Sequence, residues 1–504
     1  MPTSRRQRII LALGLLLVAV VLLTVVIGPG PGRHHHRIAG NVEAILTTAN
    51  LSLALARQPD VQFTSTRSGA PTIYVDDTRR YQVIKGVGGA MTDSSAWLLD
   101  TQLPVSTRDR VMNALFGRSG VGLAFLRVPM GASDFTAQRR PYSYDDMPPG
   151  HDDPGLHHFS VGHDEAYIIP LLRQARRLNP GMYVLANPWS PPAWMKSNDH
   201  LDDLAHSGAI LPRSLPDLAR YFVRFISAYR NQGVPVDAVT PQNEPGNPSG
   251  YPGAEFSSAE EERFVRLHLA PALKKAGLKT DIYGYDFWDA QNAISYAAEL
   301  EGSAAAKQLA GIATHCYYGP PTVMTYLHRL NPLMDQMVSE CSPGLNVYST
   351  SELELASMRN WASAVNLWNL ALDPFGQPVQ PPNSGCPSCT AVVTVNEFTH
   401  RVTFTLDYYQ LGQVSKFVRP GAVRIASNNF VTYRYTGPGQ NIASPGLDDV
   451  AFQNSDGSKV LVVYNNSSAQ ISFEVGFRGR YFSSRVAPGA TETYVWDRPP
   501  GQLP

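Results

Sequence analysis

Residues 237–245 read DAVTPQNEP, and this stretch decides the fold. A short apolar run that ends at Val239 leads into Asn243 and Glu244, and Pro245 then stops the strand pattern. A parallel α/β barrel presents polar side chains in this way, at the C-terminal end of each strand. The stretch therefore predicts a barrel strand with functional side chains at its end.

A second stretch of the same form follows about a hundred residues later, at residues 336–342, QMVSECS, and it contains Glu340. Glycoside hydrolysis needs two carboxyl groups: one protonates the leaving oxygen, and the other attacks the sugar or activates water. Glu244 and Glu340, at two strand ends of one barrel, are therefore candidates for that pair.

Another carboxylate, Glu352, also follows a strand-like run. However, residues 351–354, SELE, match a capping box in which Glu354 bonds back to the start of a helix. We therefore interpret Glu352 and Glu354 as structural.

Between two β-rich segments, strand patterns alternate with helical ones. The candidate barrel strands are residues 82–87, 122–128, 182–187, 238–242, 280–285, 311–315, 336–339 and 364–368. Residues 215–230 show the helical period clearly, with apolar side chains at steps of three and four. Eight strands with helical intervals predict a (β/α)8 TIM barrel over residues 83–410.

Short strands rich in Thr, Val and Tyr are predicted on both sides of this barrel. They occupy residues 41–82 and 411–504, and turn sequences such as SDG at 455–457 separate them. Together they predict a β-sandwich domain formed from the N- and C-terminal segments. The 504 residues suit a barrel with one smaller domain.

Charge and the N-terminal residues bear on partners and location. Lys plus Arg and Asp plus Glu both number 42, so no net field favours nucleic acid as a partner.

Residues 9–27 are apolar and uncharged, and the short basic segment at residues 1–8 should stay in the cytoplasm. Such a segment can span a bilayer core of roughly 30 Å. It predicts a signal anchor or the apolar region of a signal peptide, with a linker at residues 28–40. The body of the chain is then extracytoplasmic: membrane-anchored, or secreted if the segment is cleaved.

Longer motifs resemble glycoside hydrolase family 30, the glucosylceramidase-like β-glycosidases, over roughly residues 41–495. They are KGVGGAMTD (85–93), LRVPM (126–130), SDF (133–135), NPWSPPAWMKSN (187–198), VTPQNEP (239–245), THCY (314–317), SECS (339–342), LWNLAL (367–372) and LGQVSKF (411–417).

The resemblance implies retaining hydrolysis by double displacement, with Glu244 after strand four as the acid/base and Glu340 after strand seven as the nucleophile. The two carboxyl groups of a retaining enzyme lie about 5–5.5 Å apart. By the same resemblance, Arg127 keeps Glu340 ionised, and Asn243 faces the 2-hydroxyl of the sugar. The implied substrate-binding residues are Asp134, Trp189, Asn243, His315, Tyr317 and Trp368. Tyr317 also holds the nucleophile, Asp93 supports the barrel mouth, and a hydrogen-bonded core histidine is the alternative interpretation of His315.

Four cysteines in an exported chain suggest pairing. Cys316 and Cys341 follow neighbouring strands and could form one disulfide, and Cys386 and Cys389 could form a second. A four-cysteine zinc site is the alternative, although only one Cys-x-x-Cys pair is present. The loop at residues 373–390 departs from the family pattern, and its sugar-binding asparagine could be Asn383.

The leading hypothesis is a glucosylceramidase-like retaining β-glucosidase that acts on a carbohydrate or glycolipid and needs no metal or other cofactor. A β-1,6-glucanase or a β-xylosidase is the alternative within the family. A membrane-tethered carbohydrate-binding protein without catalysis is the alternative of another class.

Overall fold

The computed structural model describes residues 41–498, except residues 139, 203–207, 248–249, 346–347, 381–385, 387 and 438–439. The predicted N-terminal segments (1–8, 9–27 and 28–40) and Asn383 lie outside the described residues. Within the described part of the chain, no helix is long and apolar enough to cross a bilayer.

The strands are β1 (Asn41–Thr47), β2 (Ala56–Gln62), β3 (Thr72–Val83), β4 (Gly86–Ala90), β5 (Phe125–Pro129), β6 (Tyr183–Asn187), β7 (Ala238–Val239), β8 (Asp281–Asp289), β9 (Gly311–Tyr318), β10 (Asp335–Glu340), β11 (Ala362–Leu367), β12 (Ala371–Leu372), β13 (Val393–Asn396), β14 (Arg401–Phe404), β15 (Val423–Ser427), β16 (Tyr433–Gly437), β17 (Gln440–Ala443), β18 (Leu447–Gln453), β19 (Lys459–Asn465), β20 (Ile471–Phe477), β21 (Arg480–Val486) and β22 (Thr491–Trp496). The α-helices are α1 (Asp93–Thr101), α2 (Val105–Phe116), α3 (Gly162–Glu165), α4 (Ile168–Leu178), α5 (Leu215–Asn231), α6 (Ser258–Phe264), α7 (Ala270–Lys275), α8 (Ala290–Gly302), α9 (Thr322–Leu330), α10 (Thr350–Arg359) and α11 (Leu406–Ser415).

Strands β4 to β11 form a closed parallel barrel, which confirms the predicted fold class. The last strand, β11, pairs with the first, β4, in parallel, and this pairing closes the barrel. Seven of the strands contribute one buried residue each to an apolar cluster: Phe125, Leu185, Ala238, Tyr283, Ala313, Met337 and Ala364. Because these side chains fill the barrel interior, the functional side chains are confined to its end.

All eight predicted barrel strands are present, but the predicted bounds at 82–87 and 238–242 differ from the observed ones for physical reasons. The predicted strand at 82–87 joins two elements: Val83 ends β3 of the sandwich sheet, and the barrel strand begins at Gly86. The predicted strand at 238–242 ends at Val239. Pro241 cannot donate to a ladder. The Asn243 amide donates to Pro188 O in the loop after β6, and the Glu244 amide donates to Asp286 O in β8.

The second domain is a nine-stranded sheet with the order β2-β1-β22-β19-β18-β15-β3-β20-β21. It combines both ends of the chain as predicted, because β1 pairs with the last strand, β22. The predicted boundary at residue 411 falls within α11, and the strands of this sheet resume at β15.

The predicted capping box at residues 351–354 is wrong. The cap of α10 is Ser349, whose backbone is extended and whose hydroxyl oxygen accepts a hydrogen bond from Glu352 N at 3.2 Å. Ser351 already lies inside the helix, so Glu354 cannot form the predicted hydrogen bond back to a capping residue at position 351. Burial instead raises the pKa of Glu354 well above its ordinary value. Glu352 accepts a hydrogen bond from Asn466 of the sandwich domain at 3.3 Å, which agrees with a structural role.

The first barrel strand depends on Gly88, which pairs with Phe125 of β5. A Cβ at Gly88 would lie 1.7 Å from the carbonyl oxygen of Phe125, a backbone atom that the barrel holds in place. We therefore expect Gly88→Ala to lower the free energy of unfolding by about 3 kcal/mol or more, through overpacking. Denaturant unfolding measures this loss.

Gly302→Ala is the matched control, because no atom lies within 4 Å of a Cβ built there. Its stability should stay close to that of the wild type. Equal stability of the Gly88 and Gly302 variants would contradict this account of the barrel.

Candidate active site

The C-terminal ends of the barrel strands bring the predicted site residues together in one cluster, which is buried apart from the half-buried Tyr317. Arg127 lies on β5, His315 and Tyr317 on β9, and Glu340 at the end of β10. Trp189, Asn243, Glu244 and Trp368 follow β6, β7 and β11, and Asp134 lies in the loop after β5.

The two candidate catalytic carboxylates lie close together. One oxygen of Glu244, one of Glu340 and a ring nitrogen of His315 all lie within 4.8 Å of one another. Retaining glycosidases place their carboxyl groups roughly 5–5.5 Å apart, whereas inverting enzymes need roughly 6.5–9.5 Å to admit a water molecule. The observed spacing fits the retaining arrangement.

Glu340 is held by three neighbours. Tyr317 donates its hydroxyl proton to Oε1 at 2.9 Å, and Arg127 donates to Oε2. The Nδ1 atom of His315 lies 3.7 Å from Oε1. Burial raises the pKa of Glu340, while the positive charges of His315 and Arg127 oppose that rise. These contacts fix the position of the carboxylate and supply the positive charge that an ionised nucleophile needs at this depth.

Glu244 shares the Nδ1 atom of His315 with Glu340 and has further hydrogen-bond partners of its own. Its Oε1 lies 3.0 Å from His315 Nδ1, and its Oε2 accepts hydrogen bonds from Asn247 Nδ2 at 2.6 Å and Tyr251 OH at 3.3 Å. The backbone of Glu244 has a φ of 42°, a left-handed conformation that non-glycine residues rarely adopt. Its amide donates to Asp286 O at 2.9 Å, which holds the turn in place.

His315 bridges carboxylates through both ring nitrogens. Nδ1 faces Glu244, and Nε2 lies 3.1 Å from Asp286 Oδ1. Burial alone would lower the pKa of His315, but the charge of Glu340 and the hydrogen bonds to Asp286 and Glu244 raise it to about 9. The imidazole is therefore a cation at neutral pH, in contact with the proposed acid/base.

Asp286 is the functional residue that the sequence analysis missed. It is fully buried and accepts hydrogen bonds from five side chains: Arg127 (2.9 Å), Asn187 (2.9 Å), Thr240 (2.6 Å), His315 (3.1 Å) and Ser339 (2.5 Å). Burial would raise the pKa of Asp286, but the Arg127 charge and the His315 contact hold it well below its usual range. A usable signal was present, because Asp286 directly follows the predicted strand at 280–285.

Two indole rings and a carboxylic acid form one wall of the site. Trp189 and Trp368 stack with ring centroids 4.8 Å apart, and Trp368 Nε1 donates to Asp134 Oδ2 at 3.4 Å. The guanidinium of Arg127 lies 4.6 Å from the Trp189 ring centroid. Burial and the charge of Glu340 raise the pKa of Asp134 well above its ordinary value. A neutral Asp134 could both donate to and accept from sugar hydroxyls.

Asn243 lies beside this wall and is oriented by Arg127. Its Oδ1 accepts a hydrogen bond from an Arg127 nitrogen at 2.7 Å. This contact assigns the oxygen end of the amide to Arg127, so the NH₂ group is the end left to act as a donor.

Both predicted disulfides form, and this confirms the predicted pairing. Cys316–Cys341 joins β9 to the residue after β10, and Cys386–Cys389 lies between β12 and β13. Cys389 packs in the same apolar cluster as Trp189 and Trp368. The second disulfide therefore braces the wall of the site.

Asp93 anchors the loop that carries Asp134. Its Oδ1 accepts from Ala137 N at 2.7 Å, and its Oδ2 contacts His163 Nε2 at 2.6 Å and Tyr167 OH at 2.7 Å. These contacts fit the expected supporting role at the barrel mouth.

Comparison with known proteins assigns the family. Residues 84–418 match the Glycosyl hydrolase family 30 TIM-barrel domain, and residues 421–494 match the family 30 beta sandwich domain. The chain belongs to glycoside hydrolase family 30. It is therefore a glycosidase.

Relatives in this family are named for different activities. An endo-1,6-beta-D-glucanase of Neurospora crassa is 33% identical over 432 residues, which cover 84% of this chain and 87% of that protein. The lysosomal acid glucosylceramidase of Mus musculus is 30% identical over 452 residues, covering 83% and 82%. A solved endo-beta1,6-glucanase structure aligns with a TM-score of 0.78 at 28% identity, covering 92% of this chain and all of that one.

In this family 30 chain, Glu244, His315 and Glu340 are close enough to offer three ligand atoms to a metal ion. Metal binding requires a neutral imidazole with a free nitrogen. His315 contacts carboxylates through both nitrogens, and its pKa of about 9 keeps it protonated. The three residues therefore fit a charge-balancing role better than metal ligation.

The His315 cation predicts a pH dependence of stability in this family 30 protein. Its folded pKa of about 9 lies above the ordinary value of 6.5. The stabilisation is therefore complete below pH 6.5 and is lost as the pH rises through about 9. We expect the difference in free energy of unfolding between the wild type and His315→Gln to fall by roughly 3 kcal/mol across this range. Urea unfolding at several pH values measures this difference.

The exposed His200 supplies the control. His200→Gln should follow the wild-type curve throughout. Parallel pH curves for the wild type and His315→Gln would contradict a cationic His315.

Proposed function

We propose that this chain is a retaining endo-acting β-1,6-glucanase that works by double displacement. The observation that carries the mechanism is the spacing of Glu244 and Glu340, with carboxylate oxygens within 4.8 Å. A water molecule does not fit between the carboxylates and the sugar in the way that inversion requires.

In the first step, Glu340 attacks the anomeric carbon, and Glu244 gives its proton to the departing glycosidic oxygen. A covalent glycosyl ester forms on Glu340. In the second step, Glu244 takes a proton from water, which attacks the same carbon and releases Glu340. Glu340 is therefore negatively charged in the free enzyme, and Glu244 is negatively charged in the covalent intermediate.

His315 accounts for how both states are stabilised. Its Nδ1 lies 3.0 Å from Glu244 and 3.7 Å from Glu340, so one cation faces whichever carboxylate is charged. The favourable contact persists as negative charge moves from the nucleophile to the acid/base. A group fixed in advance avoids the cost of reorganisation during the reaction.

Relatives support β-1,6-glucan as the substrate. The Neurospora crassa endo-1,6-beta-D-glucanase covers most of both chains at 33% identity, and the aligned structure carries the same activity in its name. The second candidate is glucosylceramide, which the mouse glucosylceramidase at 30% identity supports. Both substrates present a β-linked glucose, so the first sugar would make the same contacts with the site.

The substrate test compares hydrolysis of β-1,6-glucan, glucosylceramide, aryl β-glucoside and aryl β-xyloside. We expect β-1,6-glucan to be cut to oligomers, and Glu340→Gln to lose at least about a thousandfold in kcat on each cleaved substrate, because no nucleophile remains. Glu352→Gln is the matched control, a buried glutamate twelve positions further along the chain, and it should keep its activity. Faster hydrolysis of glucosylceramide than of β-1,6-glucan would contradict the proposed substrate.

Covalent labelling tests the mechanism independently of the substrate. A fluorinated activated β-glucoside should form a stable ester on Glu340, which mass spectrometry of the digested protein locates. A label on Glu352, or no label on an active enzyme, would contradict the assignment of Glu340.

We also propose that the body of the chain works outside the cytoplasm, anchored by residues 9–27 or secreted after their cleavage. The basic flank of that segment and the two disulfides support this location. In the cell that makes the protein, we expect external protease to degrade the anchored form, or the medium to contain the cleaved form. Full protection of cell-associated protein that lacks both disulfides would contradict the proposal.

A further inference from the structure

A row of residues across three strands of the sandwich sheet places two tyrosines side by side. Gly476 of β20 pairs with Tyr74 of β3 on one side and with Tyr481 of β21 on the other. Cross-strand partners point to the same face of a sheet. The two rings therefore flank a single glycine.

The glycine is what allows both rings to lie close to the sheet. A Cβ at Gly476 would come within 3.0 Å of a ring carbon of Tyr74 and within 3.0 Å of a ring carbon of Tyr481. Any larger residue would push the rings apart. Tyr74 keeps 49% of its surface exposed, although burial of an aromatic side chain is energetically favourable.

Neighbouring contacts hold this pair of rings in place. The Tyr481 backbone exchanges two hydrogen bonds with Thr64, at 2.7 and 2.9 Å. The guanidinium of Arg67 lies 5.3 Å from the Tyr481 ring centroid and 6.0 Å from that of Tyr74. Arg67 is itself fixed by a hydrogen bond to Thr72 Oγ1 at 3.1 Å. The rings are thus pre-positioned, which lowers the entropy cost of binding.

An open groove lies near the rings. Side chains along a strand point alternately to the two faces of the sheet, so Ser483 and Arg485 lie on the same face as Tyr481. Ser472 of β20 pairs with Arg485 and shares that face. The groove has a volume of about 700 Å³ and is lined by Ser472, Ser483 and Arg485 together with Ser68, Gly69, Ala70, Phe473 and Ser484. Within the described residues, no protein group hydrogen-bonds the side chains of Tyr74, Tyr481, Ser472, Ser483 or Arg485.

These features match the chemistry of a β-linked glucose chain. All ring substituents of β-glucose are equatorial, so its two faces carry only C–H groups and its rim carries hydroxyls. The C–H faces pack on aromatic rings, and the rim hydroxyls pair with phenol, serine and guanidinium groups. We propose that Tyr74 and Tyr481, with the groove lined by Ser472, Ser483 and Arg485, bind a β-glucan chain outside the active site. The choice of a glucan rests on the proposed function.

The test is affinity electrophoresis through gels that contain soluble β-1,6-glucan. Each protein is first labelled on Glu340 with the fluorinated glucoside, so that the sugar blocks the active site. The blocked wild type should still be retarded. The double variant Tyr74→Ala/Tyr481→Ala should bind about tenfold more weakly, because it lacks both aromatic faces.

Matched variants separate binding from folding. Tyr326→Ala removes a tyrosine of α9 that is 44% exposed, and it should behave as the wild type. The pair Tyr74→Phe/Tyr481→Phe keeps both rings and should keep most of the retardation. On an aryl β-glucoside the alanine pair should have the kcat and KM of the wild type, whereas its KM for the glucan should rise several-fold.

Unchanged retardation of the folded alanine pair would overturn the inference while leaving the proposed function intact. A change of oligomeric state in that variant, with glucan binding unaffected, would also overturn it and make this face a contact between copies. Retardation by a β-1,3-glucan instead, lost in the alanine pair, would support the binding surface and contradict the proposed substrate.

Discussion

The buried carboxylate of Asp286 is the constraint on which the rest of the site depends. Arg127 and His315 are two cations with fully buried side chains, and unpaired buried cations would cost several kcal/mol each. Asp286 contacts both, at 2.9 and 3.1 Å, and Glu340 supplies the second negative charge. Two cations against two carboxylates leave no net charge to stabilise a further anion. The buried charges at the centre of the site therefore balance one another.

This balance requires side chains from many parts of the chain, and the barrel provides them. Asp286, Arg127, His315 and Ser339 come from β8, β5, β9 and β10, which lie far apart in the sequence. A closed parallel barrel brings all strand ends to one opening, whatever the length of the connecting segments. Helices and loops can then vary without moving the charges. The loop that carries Asp134 and the wall that contains Trp189 and Trp368 are fixed separately, by Asp93 on one side and by the Cys386–Cys389 disulfide on the other.

The sequence predicted the features that depend on local pattern. Glu244 and Glu340 were predicted from strand-end position, because an apolar run followed by a carboxylate is visible in the chain. Asp286 also directly follows a predicted strand, at 280–285, but its place in the cluster depends on how β8 continues to Asp289: the register against β9 is irregular, and Tyr285 and Asp286 both have positive φ. This irregularity, a bulge-like shift, turns the carboxylate toward the cluster, and no periodicity reveals it. The helix cap was misplaced for a similar reason, since Ser349 and Ser351 are both suitable caps and tertiary packing selects one.

Family membership leaves the substrate open, because in the proposed function both candidate substrates make the same contacts with their first sugar. The proposed surface on the sandwich domain bears on that choice. A glucosylceramide carries a single glucose, which the buried cluster around Trp189 and Glu340 would enclose. It has no further sugar to place on Tyr74 and Tyr481. A glucan carries many glucose residues, and a second contact on the same molecule would raise its effective concentration at the barrel mouth. A second glucan-binding surface would benefit only an enzyme whose substrate is a polymer, so measured binding of a glucan there would favour the glucan over the glycolipid.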